Sequence, residues 1–67
     1  MAIGTVKWFN ASRGYGFITP DDGSPDVFAH TSSIAGSAPT ELLEGQKVDF
    51  DAETGPKGLQ ARRVTVL

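Results

Sequence analysis

The chain has no cysteine, and it has only one histidine, one methionine and one tryptophan. Without cysteine there is no disulfide staple, no thiolate metal site and no thiol redox chemistry, which fits a reducing compartment. No run of apolar residues exceeds three, so a helical membrane span is excluded. Met1-Ala2-Ile3-Gly4 lacks the basic segment and apolar stretch of a secretory leader, so a soluble, cytoplasmic protein is expected. A long stretch without a helix breaker is also missing. Eight glycines and four prolines punctuate the chain, and the longest segment free of both, Asp26 to Ala35, spans ten residues. A long helix has no place in such a chain, because short helices are marginal by themselves.

The 67 residues allow one domain, 1–67, with a thin core, since a chain this short buries only about 60% of its unfolded surface. A hydrophobic content of 39% with 21% charged residues suits a folded globule and is too apolar for a disordered tail. There is no internal repeat and no low-complexity tract. The net charge is −2, but it is unevenly spread. Residues 1–20 carry +2 from Lys7 and Arg13, residues 21–55 carry −7, and residues 56–67 carry +3 from Lys57, Arg62 and Arg63. An acidic chain of this kind can still present a locally positive face, although mixed charge also serves plain solubility.

The segments between breakers are rich in β-branched and aromatic residues, which predicts strands at Gly4–Asn10, Tyr15–Thr19, Asp26–His30, Lys47–Ala52 and Leu59–Val66. Turn chemistry separates them at Ala11-Ser12-Arg13-Gly14, Asp21-Asp22-Gly23-Ser24-Pro25 and Gly55-Pro56-Lys57-Gly58. Thr31 to Gln46 reads as a longer loop with at most single helical turns near Ser32 and Leu42. Five short strands bury most when they close on themselves, so the expectation is an all-β, five-stranded antiparallel barrel. Its core would take Val6, Ile18, Val27, Ile34, Val48, Phe50 and Val64.

Alternation in the second and third strands points to a surface. Residues at i and i+2 share one face of a strand. Arg13, Tyr15 and Phe17 therefore face one way, and Gly16 and Ile18 the other. Asp26, Phe28 and His30 likewise oppose Val27 and Ala29. A core face holding Arg13, Asp26 and His30 would carry costly buried charge, whereas the face with Ile18, Val27 and Ala29 has no such conflict. The competing arrangement keeps the rings in the core and bends the charges out at the strand ends. The co-facial charges and the glycines at 14 and 16, which leave rings uncovered, weigh against it. A sheet face of rings edged by Lys and Arg suits single-stranded nucleic acid: bases stack on the rings and cations meet phosphates, with little sequence preference.

Three blocks, Gly4-Thr5-Val6-Lys7-Trp8-Phe9-Asn10, Arg13-Gly14-Tyr15-Gly16-Phe17-Ile18 and Asp26-Val27-Phe28-Ala29-His30, resemble the bacterial cold-shock protein family. The second and third correspond to its two ribonucleoprotein motifs, and Leu43-Glu44-Gly45-Gln46 and Gly58-Leu59-Gln60-Ala61 fit as well. The similarity spans essentially the full chain. RNA-recognition motifs share the Arg-Gly-Tyr-Gly-Phe start, but they need two helices, and Pro20 stands where their pattern asks for Phe or Tyr. The resemblance implies a barrel of the oligonucleotide-binding (OB) type that binds single-stranded RNA and DNA. It further implies an RNA chaperone that melts weak secondary structure and can influence transcription termination and translation. By motif match, Trp8, Phe17, Phe28 and His30 would be stacking platforms, with Phe9 and Tyr15 contributing. Lys7, Arg13 and Lys57 would meet phosphates or base edges, and Asp26 and Gln60 would hydrogen-bond bases. Simple alternation cannot expose both Trp8 and Phe9, so placing both in the site rests on the resemblance.

The chain departs from the family pattern at three places. Thr31 follows His30 where an aromatic is usual, Ala38-Pro39-Thr40-Glu41-Leu42 replaces a loop segment that usually holds another aromatic, and Leu59 replaces a frequent Pro. Two stacking platforms are therefore expected to be missing.

Other function classes have less support. His30 with Ser32 or Ser33 lacks a third residue to orient the ring, and a domain this small has no deep pocket, so no catalysis and no small-molecule substrate are expected. One His and scattered carboxylates lack metal-ligand spacing, Asp21-Asp22 reads as a turn, and no cofactor is expected. The alternative is a small barrel that docks extended peptides on its aromatic face. The cations around the rings favour phosphate over peptide, and a monomer is expected.

Overall fold

The structure is a computed structural model that describes residues 2–34, 42–56 and 58–67. Five strands, β1 (Ala2–Asn10), β2 (Tyr15–Pro20), β3 (Val27–His30), β4 (Lys47–Gly55) and β5 (Gly58–Val66), close into a barrel in the order β1-β2-β3-β5-β4. One 3-10 turn, Thr31–Ser33, follows β3. The expected strands are all present. The main differences in extent are that β1 begins at Ala2, β3 begins one residue later, at Val27, and β4 continues to Gly55.

The expectation of a purely antiparallel barrel needs one correction: β3 and β5 run parallel, with Phe28 opposite Gln60. The reason is parity. β1 is antiparallel to β2 and β4, β2 to β3, and β4 to β5. A ring of five strands cannot alternate direction all the way round, so one neighbouring pair must be parallel. An isolated parallel bridge between Ile34 and Val64 extends the same seam.

Val6, Ile18, Val27, Val48, Phe50 and Val64 are buried in the core as expected, together with Ala29, Leu42 and Ala61. Ile34, expected among them, is only partly buried and packs against the cluster from the parallel seam. Leu42 takes up part of that role from the long loop. Each large apolar side chain contributes about 1.5–3 kcal/mol on burial.

Two irregularities re-aim side chains. In β1 the register shifts between Val6, opposite Ile18, and Trp8, opposite Phe17. Lys7 and Trp8 together face a single residue, as in a β-bulge. In β5, Asp49 lies opposite Thr65 and Asp51 opposite Arg62, so Arg63 and Val64 share Phe50 as their partner. Arg63 has φ +54°, in the left-handed region that a bulky residue seldom enters. Each bulge turns two consecutive side chains outward. Lys7 is exposed and Trp8 half-buried in β1, and Arg62 and Arg63 are both exposed in β5. The turn after β2 is tied by Asp22, whose carboxylate accepts the Ser24 backbone N–H at 2.9 Å. Hydrogen bonds from Ser24, first from its side chain and then from its backbone, hold the Asp22 carboxyl below the ordinary value of 3.8.

Candidate nucleic-acid interface

The bulge at Lys7 builds the ring face. Strict alternation from the buried Val6 would send Trp8 inward and Phe9 outward. With one extra residue the order reverses: Trp8 joins the outer face opposite Phe17, and Phe9 turns toward the core opposite Gly16. Gly16 is required there, because a Cβ would collide with the Trp8 carbonyl oxygen and lie 2.7 Å from the Phe9 Cα.

On the outer face β2 and β3 pair Tyr15 with His30 and Phe17 with Phe28. Five rings form one connected surface. The Trp8 ring lies 5.3 Å from Phe17 and 5.7 Å from Tyr15, centroid to centroid. Tyr15 stacks on Phe28 at 5.5 Å, and Phe17 meets the edge of Phe28 at 5.8 Å. His30 extends the row, nearly parallel to Phe28 at 6.5 Å. The rings are half-buried, save for His30, which is exposed. They are supported from the side and open in front. They line a cleft of about 790 Å³, with Arg13 and Asp26 on its rim and Pro25, Gly58 and Leu59 completing it.

The structure thus brings together Trp8, Arg13, Tyr15, Phe17, Asp26, Phe28 and His30. Phe9 stands apart from this surface, packed against the core behind Gly16. Gln60 borders the face across the parallel seam from Phe28. Its Nε2 donates to Glu53 Oε1 at 3.1 Å, which fixes the orientation of the amide. Lys57 and Pro39 lie outside the described residues. Pro25 and Leu59 were not read from the sequence as site residues. Leu59 is a large apolar side chain left exposed at the start of β5, and its place after the turn glycine Gly58 was the available signal.

Charge on the rim is partly compensated. Lys7 Nζ donates to Asp26 Oδ2 at 3.0 Å, and Thr19 Oγ1 donates to Asp26 Oδ1 at 3.1 Å. The Lys7 hydrogen bond first, and the Thr19 one second, hold the Asp26 carboxyl below the ordinary 3.8. Lys47 is similarly bound to Asp21 at 2.6 Å. Arg13 has no carboxylate partner among the described residues. Its backbone N–H is anchored on Asn10 Oδ1 at 3.1 Å, which sets the turn that carries it.

Residues 2–67 match the family model described as the 'Cold-shock' DNA-binding domain. The chain belongs to the cold-shock domain family. It is 60% identical over 67 residues to the major cold shock protein of Micrococcus luteus, covering all of both chains. It is 57% identical over 65 residues to the cold shock protein ScoF of Streptomyces coelicolor, covering 97% of each. With the cold shock-like protein CspC of Escherichia coli K12 it shares 55% identity over 64 residues, 96% of this chain and 93% of the relative. In structure it resembles the Drosophila Unr CSD456 chain, with a TM-score of 0.79 and 23% identity. That match covers 98% of this chain and 26% of the other, and at this identity it bears on the fold alone. Cold-shock domains form a nucleic-acid-binding family rather than a family of enzymes. Membership therefore supports nucleic-acid binding and not the peptide-docking alternative. No helix among the described residues is long and apolar enough to cross a membrane.

Proposed function

We propose that this cold-shock domain binds single-stranded RNA and DNA on the β1-β2-β3 face with low sequence preference. Acting as a monomeric module over 1–67, it would serve as a cytoplasmic RNA chaperone that melts weak secondary structure and so affects transcription and translation. The observation that carries this reading is the continuous row Trp8–Tyr15–Phe28–His30 with Phe17 alongside. Every base has a π-face that such rings can stack, and a duplex hides those faces. Arg13, Lys7 and Lys57 meet phosphates, Asp26 and Gln60 hydrogen-bond base edges, and Phe9 supports Trp8 and Gly16 from behind. Binding needs no cofactor and no catalysis.

The test uses Trp8, the one tryptophan, as its reporter. A short single-stranded pyrimidine oligonucleotide should quench its fluorescence, and the matched duplex should not. Equal quenching by both would overturn the single-strand reading, and quenching by neither would overturn nucleic-acid binding at this face.

A further inference from the structure

A second groove, of about 320 Å³, lies beside the ring face between the 3-10 turn and β5, lined by Ser32, Ser33, Gln60, Glu53, Arg62 and Arg63. We propose that it is a phosphate subsite for the sugar–phosphate backbone of a strand that runs off the ring face past His30. This rests on the ring-face reading and extends the track beyond the residues assigned above.

Three independent features support it. The first is continuity. Ser32 closes onto the last ring, its backbone N–H donating to His30 Nδ1 at 3.1 Å and its hydroxyl 2.9 Å from the same atom. Gln60 borders both the apolar edge beside Phe28 and this polar groove. β3, which carries Phe28 and His30, is the direct neighbour of β5, which lines the groove.

The second is charge. Glu53 is the acid in the groove lining, and both of its oxygens are taken, Oε1 by Gln60 Nε2 and Oε2 by Arg62 Nη1 at 3.2 Å. Arg63 has no carboxylate partner within ion-pair distance among the described residues, so the groove lining, with Arg62, Arg63 and Glu53, carries a net charge of +1. The Ser33 hydroxyl also lines the groove and can donate to a phosphate oxygen, while the Ser32 hydroxyl is directed to His30 Nδ1.

The third is backbone strain. The β5 bulge holds Arg63 at φ +54°, a conformation that Gly or Asn adopts more readily. The strain has a consequence for the surface. A regular strand would turn Arg62 and Arg63 to opposite faces, and the bulge exposes both.

The experiment compares oligothymidylates of about 4 and about 12 nucleotides, the range one such barrel covers, by Trp8 quenching in a salt titration. Arg63→Asn accepts the left-handed conformation, so its melting temperature should not fall. It should weaken the longer oligonucleotide about threefold and reduce its log–log salt slope by about 0.7, the yield of one single-strand phosphate contact. The shorter oligonucleotide should be unaffected. Arg63→Lys keeps the charge and should restore the slope.

An unchanged slope for the long oligonucleotide in Arg63→Asn overturns the proposal, as does an equal loss for both lengths, which would place the effect on the ring face. A slope as reduced in Arg63→Lys as in Arg63→Asn also overturns it, because the positive charge would then be present without its phosphate contact. Failure of the wild type to bind either length overturns the ring-face reading and this one together. Normal wild-type binding with no response at position 63 overturns this one alone.

Discussion

At the level of single residues, position in the barrel separates binding from stability. Phe17 and Phe28 are half-buried on the outer face, with their neighbours on one side and open space in front. Truncating either to Ala should weaken oligonucleotide binding by roughly 1–3 kcal/mol, the value of one base–aromatic stack, while cooperative unfolding is retained. Val27 lies between Asp26 and Phe28 in sequence but points into the core. Val27→Ala should cost about 2 kcal/mol of stability, seen in urea melts, with little direct effect on binding. Loss of folding in Phe28→Ala would show that its ring is a core element after all. Asp26 adds a pH dependence. Its folded value is depressed by Lys7 and Thr19, so its stabilisation is present above the ordinary carboxylate value and fades as pH falls through the folded one. Thermal melts of Asp26→Asn should therefore differ from wild type near neutrality and converge with it in acid. A gap that persists unchanged into strong acid would show that the carboxylate charge is not the source.

At the level of elements, regular strands were legible and irregular ones were not. The period-two pattern of β2 and β3 correctly separated Tyr15, Phe17, Phe28 and His30 from Ile18, Val27 and Ala29, because those strands pair without a register shift. The same rule could not place Trp8 and Phe9, since a bulge has no compositional mark when the inserted residue is an ordinary Lys7. The exposure of both Arg62 and Arg63 was hidden for the same reason. Leu42 was missed as core because a loop has no periodicity to assign its side. The parallel β3–β5 contact follows from an odd strand count, which the sequence did contain. The family resemblance supplied Trp8, the cleft residue that alternation could not reach, and it also placed Phe9 with the rings, where the bulge instead turns this half-buried side chain to pack against the core. Thr31 shows what a single element can gain. It opens the 3-10 turn with its N–H bonded to the Gly14 carbonyl at 2.9 Å, and its side chain lies over Gly14 beside His30. A ring here would extend the row. Thr31→Phe should tighten oligonucleotide binding by about 1 kcal/mol, the low end for a stack because the new ring must also be ordered. The salt slope should stay the same, as no phosphate contact is added. No gain in affinity would mean that position 31 lies off the track.

Across the whole molecule, the net charge of −2 conceals a division of labour. Asp49, Asp51 and Glu53 sit along β4 and do not line the ring cleft, while Arg13, on its rim, has no carboxylate partner among the described residues. Long-range attraction is therefore weak, and stacking has to supply most of the affinity. Three phosphate contacts, from Lys7, Arg13 and Lys57, at about 0.7 counterions each predict a log–log salt slope near −2 for a short oligonucleotide. Lys7 decides whether the full value is reached, because its ammonium is already bound to Asp26 at 3.0 Å. If it stays on the carboxylate when a strand binds, its phosphate contact is lost and the slope falls to about −1.4. Asp26→Asn distinguishes the cases. The amide keeps an acceptor for a base edge but no longer holds the ammonium by charge, so Lys7 is released to phosphate. A wild-type slope near −1.4 that steepens to about −2 in Asp26→Asn means that the ion pair competes with the nucleic acid. A slope near −2 in both proteins means that Lys7 exchanges partners on binding. A wild-type slope steeper than about −4 would require more phosphate contacts than this face and the Arg63 groove together provide, and electrostatics would then dominate over the rings.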